Sequence, residues 1–382
     1  MNILADSNIP FVNEAFAAIA RVTTCNGRLI SRDILAKTDI LLVRSITRVD
    51  HSLLDGTPVR FVATATIGTD HLDIPWLEQA GIAWCYAPGC NANSVSEYVT
   101  AALLCLAQRH GWTLAGRTLG LIGVGNVGRR VAQKARALGL NVLQNDPPRA
   151  RAEGGAGFVS LEELLAAADI VSLHVPLTRE GPDATWHLAD EAFFRRLRRG
   201  AVFLNCARGA VVCTEALLAA LQRGQVAQAV IDTWEGEPDW SRDLMRRCDL
   251  ATPHIAGHSF DGRVAGTVMV YRGACRFLGR PAVWTPEGLL PPPDVPEVVA
   301  DAGGRSEEGV LFDIVRQVYD IEADDRRLRE SACDDAAERR RNFDRLRREY
   351  PRRREFPWTR VVLRNAGPAL AAKVEGLGFQ RT

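Results

Sequence analysis

Residues 117–146, RTLGLIGVGNVGRRVAQKARALGLNVLQND, leave few choices of fold. An apolar run meets three glycines in the spacing GxGxxG, at Gly123, Gly125 and Gly128. A helix-forming stretch follows, then a second apolar run closed by Asp146. Strand, turn, helix and strand in this order make a βαβ crossover whose turn cradles a dinucleotide. Gly123 permits the tight turn, Gly125 lets the backbone approach a pyrophosphate, and Gly128 lets helix and strand pack closely. The helix opens at Asn126 and Val127, where first-turn N–H groups and the macrodipole attract phosphate. Asp146 is placed to accept hydrogen bonds from the adenosine ribose and to repel a 2′-phosphate. NAD is therefore expected over NADP, a preference that Arg149 nearby weakens slightly.

The same alternation runs through most of the chain. NILAD, DILLV, VRFVATA and IAWCYA read as strands of a first parallel α/β unit. After the helix expected over 94–111, the GxGxxG crossover opens a second series, with strands at IVSLHVP, AVFLNCA, VAQAVIDTW and DLATPHIAG. The expected fold class is α/β. It comprises a doubly wound parallel NAD-binding sheet over 96–256 and a flavodoxin-like substrate domain from 1–95 with a returning helix at 257–280. Six prolines in residues 281–296 read as a stiff link to a C-terminal α+β region, 281–382, whose short helices and lone strand need a covering partner. Val310, Ile314, Val318 and Ile321 fall at helical spacing there.

Composition narrows the functional classes. Net charge is +1, so nothing draws the whole chain to nucleic acid or membrane. The arginine-dense stretch 339–354 is interrupted by acids and reads as a solvated helical face. The longest apolar run, AALLCLA, is too short to span a bilayer, and MNILADSN has no secretory pattern. Nine scattered cysteines without a CxxC pair point to reduced thiols and a cytoplasmic protein.

Chemistry gathers after three consecutive strands. NCARGAVV puts Arg208 just past one strand, with Gly209 allowing close approach. DTWEGEP puts Asp232 and Glu237 past the next, and ATPHIAGHSFDG puts His254 past the third. Strand C-termini are where open parallel sheets bind ligands. Guanidinium suits a carboxylate, imidazole exchanges protons near neutral pH, and a carboxylate beside it fixes the tautomer. His254, His258 and Asp261 also have a metal-like spacing, but Pro253 and Gly257 argue against the helix such a site requires, and no metal is expected. Arg44 and Arg48 flank Ser45, and Thr66, Gly68 and Thr69 follow the next strand. Together they read as an anion cradle. The first domain is expected to hold substrate.

The stretches GLIGVGNVGRRVAQKARALG, DIVSLHVPLT, FLNCARGAVV, DTWEGEP and ATPHIAG resemble the D-isomer-specific 2-hydroxy acid dehydrogenases over about residues 1–280. The resemblance implies an enzyme that moves hydride between NAD and a small phosphorylated 2-hydroxy acid. Arg208, Glu237 and His254 fall on the family's catalytic residues. Asn126, Val127, Asp146, Val175, Cys206, Ala207, Arg208, Asp232 and Gly257 fall on its cofactor contacts, and Ser45, Thr66 and His258 on its substrate contacts. Two positions depart from the pattern: His258 stands where tyrosine is usual, and Val175 where threonine is frequent. The C-terminal extension is expected to pair two subunits into a homodimer. Two rivals stay open: a relative acting on 3-phosphoglycerate, glyoxylate or hydroxypyruvate, and a non-enzymatic NAD-sensing regulator.

Overall fold

The computed structural model describes residues 1–381. The chain forms two compact units, Met1–Asn91 with Ser259–Pro292, and Ala92–His258 with Pro293–Thr382.

The first unit begins with β1 (Asn2–Asp6), α1 (Val12–Phe16), β2 (Arg21–Cys25) and β3 (Ile40–Val43). It continues through α2 (His51–Leu54), β4 (Phe61–Thr64), α3 (Ile74–Gln79) and β5 (Ala83–Tyr86). All five strands are parallel, in the order β2-β1-β3-β4-β5, the flavodoxin-like arrangement. β3 and β4 are buried at every position, as central strands covered on both faces must be. The edge strand β2, RVTTC, is half exposed. Its weak apolar pattern explains why periodicity alone misses it.

In the second unit, α4 (Ala92–His110) leads into β6 (Thr118–Ile122), α5 (Asn126–Ala137), β7 (Asn141–Asn145), α6 (Pro147–Glu153), α7 (Leu161–Ala167) and β8 (Ile170–Leu173). Then come α8 (Glu191–Arg196), β9 (Ala201–Asn205), α9 (Thr214–Gln222), β10 (Val226–Ile231), α10 (Arg242–Arg247) and the two-residue β11 (Leu250–Ala251). The six-stranded sheet is parallel, ordered β11-β10-β9-β8-β6-β7. Strand order reverses between β6 and β8, and the crevice beyond their C-terminal ends is the ligand position of such sheets. The helix α11 (Phe260–Phe277) returns to the first unit, where Val270, Tyr271, Ala274 and Cys275 share a core with Ile3 and Ile40.

The C-terminal region holds β12 (Glu297–Asp301), α12 (Glu307–Val318), α13 (Ile321–Glu330), α14 (Ala336–Arg348), β13 (Arg360–Arg364), α15 (Pro368–Gly376) and β14 (Gln380–Arg381). It clusters with the NAD-binding domain rather than standing apart from residue 281. The expected lone strand, β13, is the middle of a three-stranded parallel sheet. The helical spacing from Val310 to Ile321 is broken. Tyr319 is extended, and the Asp320 carboxylate caps a new helix by accepting from Glu322 and Ala323 N–H. The apolar faces of α12 and α13 are covered within the chain. Val310, Leu311, Ile314 and Ile321 share one core with Leu103, Leu104 and Leu106 of α4. That is why α4 is buried along nearly its whole length. Nor is the arginine stretch uniformly solvated. Arg353 is buried, stacks 4.1 Å over the Tyr319 ring, and donates to Ser94 Oγ and to the Ala256 carbonyl at 3.2 Å.

Candidate active site

The dinucleotide cradle forms at the switch point. Gly123, with φ +87°, follows β6, and a Cβ there would meet the His174 carbonyl carbon at 2.7 Å and Val175 Cγ1 at 2.8 Å. Gly128 approaches so closely that a Cβ would sit 2.2 Å from the Gly123 oxygen. Gly125, by contrast, has open space where its side chain would be. No side chain caps α5, so the amides of Asn126, Val127 and Gly128 face the ends available to an anion. These residues fit a pyrophosphate.

Asp146 lies just after β7. Its carboxylate accepts from Val124 N–H at 2.8 Å and Arg149 N–H at 3.1 Å, one on each oxygen, which leaves each oxygen a lone pair for a ribose hydroxyl. The Arg149 guanidinium is engaged with Glu153 and the Val124 carbonyl. It is therefore not held out toward a 2′-phosphate, and the preference for NAD that it weakened on paper stands. His174 is held to Ser172 Oγ at 2.9 Å, and burial pushes its imidazole down to about 3, so it stays neutral at the crevice floor.

The three strands β9, β10 and β11 end level: Asn205, Ile231 and Ala251 are register partners across the sheet. The loops that follow therefore leave side by side. Gly209 lets the first loop touch the second, since a Cβ there would be 1.9 Å from the Trp234 oxygen. Asn205 ties the same two loops, donating to the carbonyls of Arg208 (3.1 Å) and Thr233 (3.3 Å) and accepting from Ala207 N–H (3.1 Å). This fixes the half-buried Arg208, one of whose guanidinium nitrogens donates to the Ala207 carbonyl at 2.9 Å. Cys206 sits in the same turn. Burial, aided by the Asp232 charge, pushes its thiol well above the ordinary range, which makes it a packing group and not a nucleophile.

His254 has φ +55°, a left-handed conformation uncommon for a residue with a Cβ. Asp232, 1% exposed, holds the turn that imposes it. Its carboxylate accepts from Thr252 Oγ1 (2.6 Å), Ile255 N–H (2.8 Å) and Ala256 N–H (3.0 Å). Burial pushes this carboxyl upward against those hydrogen bonds and the His254 charge. Tyr98 OH pairs with Thr252 Oγ1 at 2.7 Å and extends the network into α4. Sequence reasoning placed Asp232 at a strand end as a cofactor contact. Its visible work is to shape the imidazole turn, with one acceptor site on Oδ2 to spare. Asp232→Asn replaces an acceptor with a donor facing a buried N–H, at a cost of about 1–3 kcal/mol. Thermal unfolding should show a midpoint lowered by several degrees, and an unchanged midpoint would contradict this role.

Glu237 Oε1 lies 2.5 Å from His254 Nδ1. Burial raises the Glu237 carboxyl, but the imidazole, the Arg347 charge and the Trp234 N–H (3.2 Å) outweigh it and hold it below the usual carboxylate range. An ionised carboxylate on Nδ1 requires Nδ1 to carry the proton, so Nε2 is the basic nitrogen.

The remaining expected residues lie elsewhere. Ser45, exposed, follows β3 in the first unit. Thr66 follows β4 and bonds Thr64 Oγ1 (2.7 Å) and the Gly68 carbonyl (3.1 Å). Arg48 does not join Arg44 in a cradle. It is solvent-exposed and paired at 2.7 Å with Asp50, the cap of α2. Arg263, which sequence reasoning passed over, is the arginine near Arg44: burial, then the like charge of Arg44, push it down. The His258 ring lies against Tyr350 of the C-terminal region, centroids 5.8 Å apart. Among the described residues no group of three His, Cys, Asp or Glu side chains could hold a metal ion.

Residues 98–256 match the model of the D-isomer specific 2-hydroxyacid dehydrogenase NAD-binding domain, and residues 289–378 match a domain of unknown function, DUF3410. Erythronate-4-phosphate dehydrogenase of Pseudomonas savastanoi pv. phaseolicola is 49% identical over 378 residues, 99% of each chain. This chain belongs to the D-isomer-specific 2-hydroxyacid dehydrogenase family. The enzyme is NAD-dependent. It is also 44% identical to the Escherichia coli erythronate-4-phosphate dehydrogenase over 97% of its own length and 96% of the relative's. Among solved structures, D-lactate dehydrogenase of Aquifex aeolicus with NAD and lactic acid is 25% identical, with a TM-score of 0.60 over 73% of this enzyme and 96% of that chain. The NAD-bound 3-phosphoglycerate dehydrogenase of Entamoeba histolytica, 23% identical with a TM-score of 0.63 over 73% of this enzyme and 95% of that chain, shares the fold.

Proposed function

We propose that the enzyme oxidises 4-phospho-D-erythronate at C2 to 2-oxo-3-hydroxy-4-phosphobutanoate, within the cytoplasmic route to pyridoxal 5′-phosphate. The observation that carries this reading is the Glu237–His254 pair at 2.5 Å, in loops level with that of Arg208 on an NAD-binding sheet. The full-length kinship with enzymes named for that substrate supports it.

Bound NAD supplies the hydride acceptor. Arg208 grips the substrate carboxylate with its fork of donors and polarises the C2 oxygen as the carbonyl develops. His254 Nε2 takes the C2 hydroxyl proton, and Glu237 stabilises the imidazolium that results. Gly123 to Gly128 hold the pyrophosphate and Asp146 the ribose. Val175, Cys206, Ala207, Asp232 and Gly257 complete the cofactor contacts. Ser45, Thr66 and His258 are assigned to the substrate. The exposed Val299 and Trp358 of the C-terminal region support a homodimer built there, which sedimentation of the purified protein would test.

Absorbance at 340 nm tests the substrate directly. Erythronate 4-phosphate should exceed 3-phosphoglycerate, glycolate and glycerate by about 100-fold or more in kcat/KM, since a site built to bind polar groups discriminates strongly. Reduction of NAD by 3-phosphoglycerate but not by erythronate 4-phosphate would move the assignment to that relative. NADH binding without turnover of any 2-hydroxy acid would favour a regulator.

A further inference from the structure

The loop that carries Glu237 is held from the C-terminal region. It runs between two buried indoles, Trp234 and Trp240, 2% exposed each, with ring centroids 5.7 Å apart. Both belong to a core that includes Phe343 of α14, 1% exposed, with Leu346 packed against it. Asp239, two residues past Glu237, is gripped by α14 on both oxygens: Arg339 reaches Oδ1 and Arg340 reaches Oδ2, each at 2.9 Å. Arg242, just beyond the loop, pairs with Asp334 at the foot of the helix. Arg340, Phe343 and Arg347 stand at i, i+3 and i+7, on one helical face. The Arg347 guanidinium lies 5.8 Å over the Phe343 ring, and its buried Nε has no hydrogen-bond partner. Glu237 is thus met by His254 from the turn after β11 and by the Trp234 N–H of its own loop, while Arg347 from α14 adds a positive charge within electrostatic range rather than a hydrogen-bonded ion pair. Asp232 stands beyond His254.

We propose that α14 positions the catalytic carboxylate: Phe343, Arg339 and Arg340 fix the Trp234–Trp240 loop that carries Glu237, and Arg347, stacked on Phe343 on the same helical face, is the cation that α14 brings to the Glu237–His254 pair. The inference rests on the reading of Glu237 and His254 as the proton-handling pair. Arg347 acts through Glu237 and is a positioning residue. The physical reason is that a half-buried carboxylate beside a histidine that cycles through its charged form is helped by a permanent counter-charge while the imidazole is neutral. The direction of the Glu237 shift, to which Arg347 contributes, agrees.

Arg347→Gln, Arg347→Met and Arg347→Lys test this in the full-length enzyme. Removing the cation makes the pair easier to protonate. In the Gln and Met variants the 13C carboxyl titration of Glu237 should move to higher pH, and the acid limb of kcat/KM for oxidation should follow by about half to one unit, a threefold to tenfold loss on that limb. NADH affinity should hold within about twofold, because the cradle is elsewhere. Lysine should restore most of both shifts. Titration and limb that coincide with the wild type in the Gln and Met variants would overturn the proposal, and so would a lysine variant displaced as far as they are. The carboxyl titration requires no substrate, so failure to turn over any phosphorylated 2-hydroxy acid would sink the functional reading and leave this test standing.

Discussion

His254→Asn should bind NAD as the wild type does and lose turnover by about 10²–10⁴. Asparagine is the informative replacement because it tolerates the left-handed backbone at this position, φ +55°. Alanine would add backbone strain to the loss of the base. The cofactor cradle from Gly123 to Asp146 belongs to other strand ends, so NAD affinity is an internal control. Without a basic nitrogen at the C2 hydroxyl, the proton must leave to water while hydride leaves carbon. Initial rates at 340 nm and NADH fluorescence titration measure the two quantities. Turnover within about tenfold of the wild type would remove the imidazole from the mechanism.

Arg208→Lys should keep the charge and still lose about 10²–10³ in kcat/KM, with both KM and kcat affected. The guanidinium has five donors in a plane. One of its nitrogens is committed to the Ala207 carbonyl at 2.9 Å, which sets the orientation of the fork. An ammonium on a flexible stem matches neither that bond nor a bidentate carboxylate. Steady-state kinetics with erythronate 4-phosphate reads the effect. A variant with normal rates and weakened NAD binding alone would assign Arg208 to the cofactor instead.

The parts of the fold that periodicity exposed are those whose neighbours in sequence are also neighbours in space. β6, the glycine turn, α5 and β7 declare themselves within one crossover, and the strand ends of β9, β10 and β11 could be lined up because parallel connectivity puts every second loop on one edge. β2 and β12 escaped notice, one a half-exposed edge and the other a short strand of alternately exposed and buried residues behind a proline-rich link. The cradle built on paper from Arg44 and Arg48 lost Arg48 to Asp50. That pairing is local, but nothing in the spacing says which neighbour an exposed arginine will choose.

The doubly wound NAD-binding topology, the dinucleotide loop, and the loops that carry Arg208, Glu237 and His254 were legible in the residue pattern alone, because backbone stereochemistry and strand–helix alternation act over tens of residues. It took the folded chain to reveal that Asp232 shapes the imidazole turn through Thr252, Ile255 and Ala256, that α4 is covered by α12 and α13, and that α14 reaches back about a hundred residues to the Glu237 loop. Buried hydrogen bonds and ion pairs between distant segments form where packing brings them together, and that encounter leaves no periodic trace in the chain.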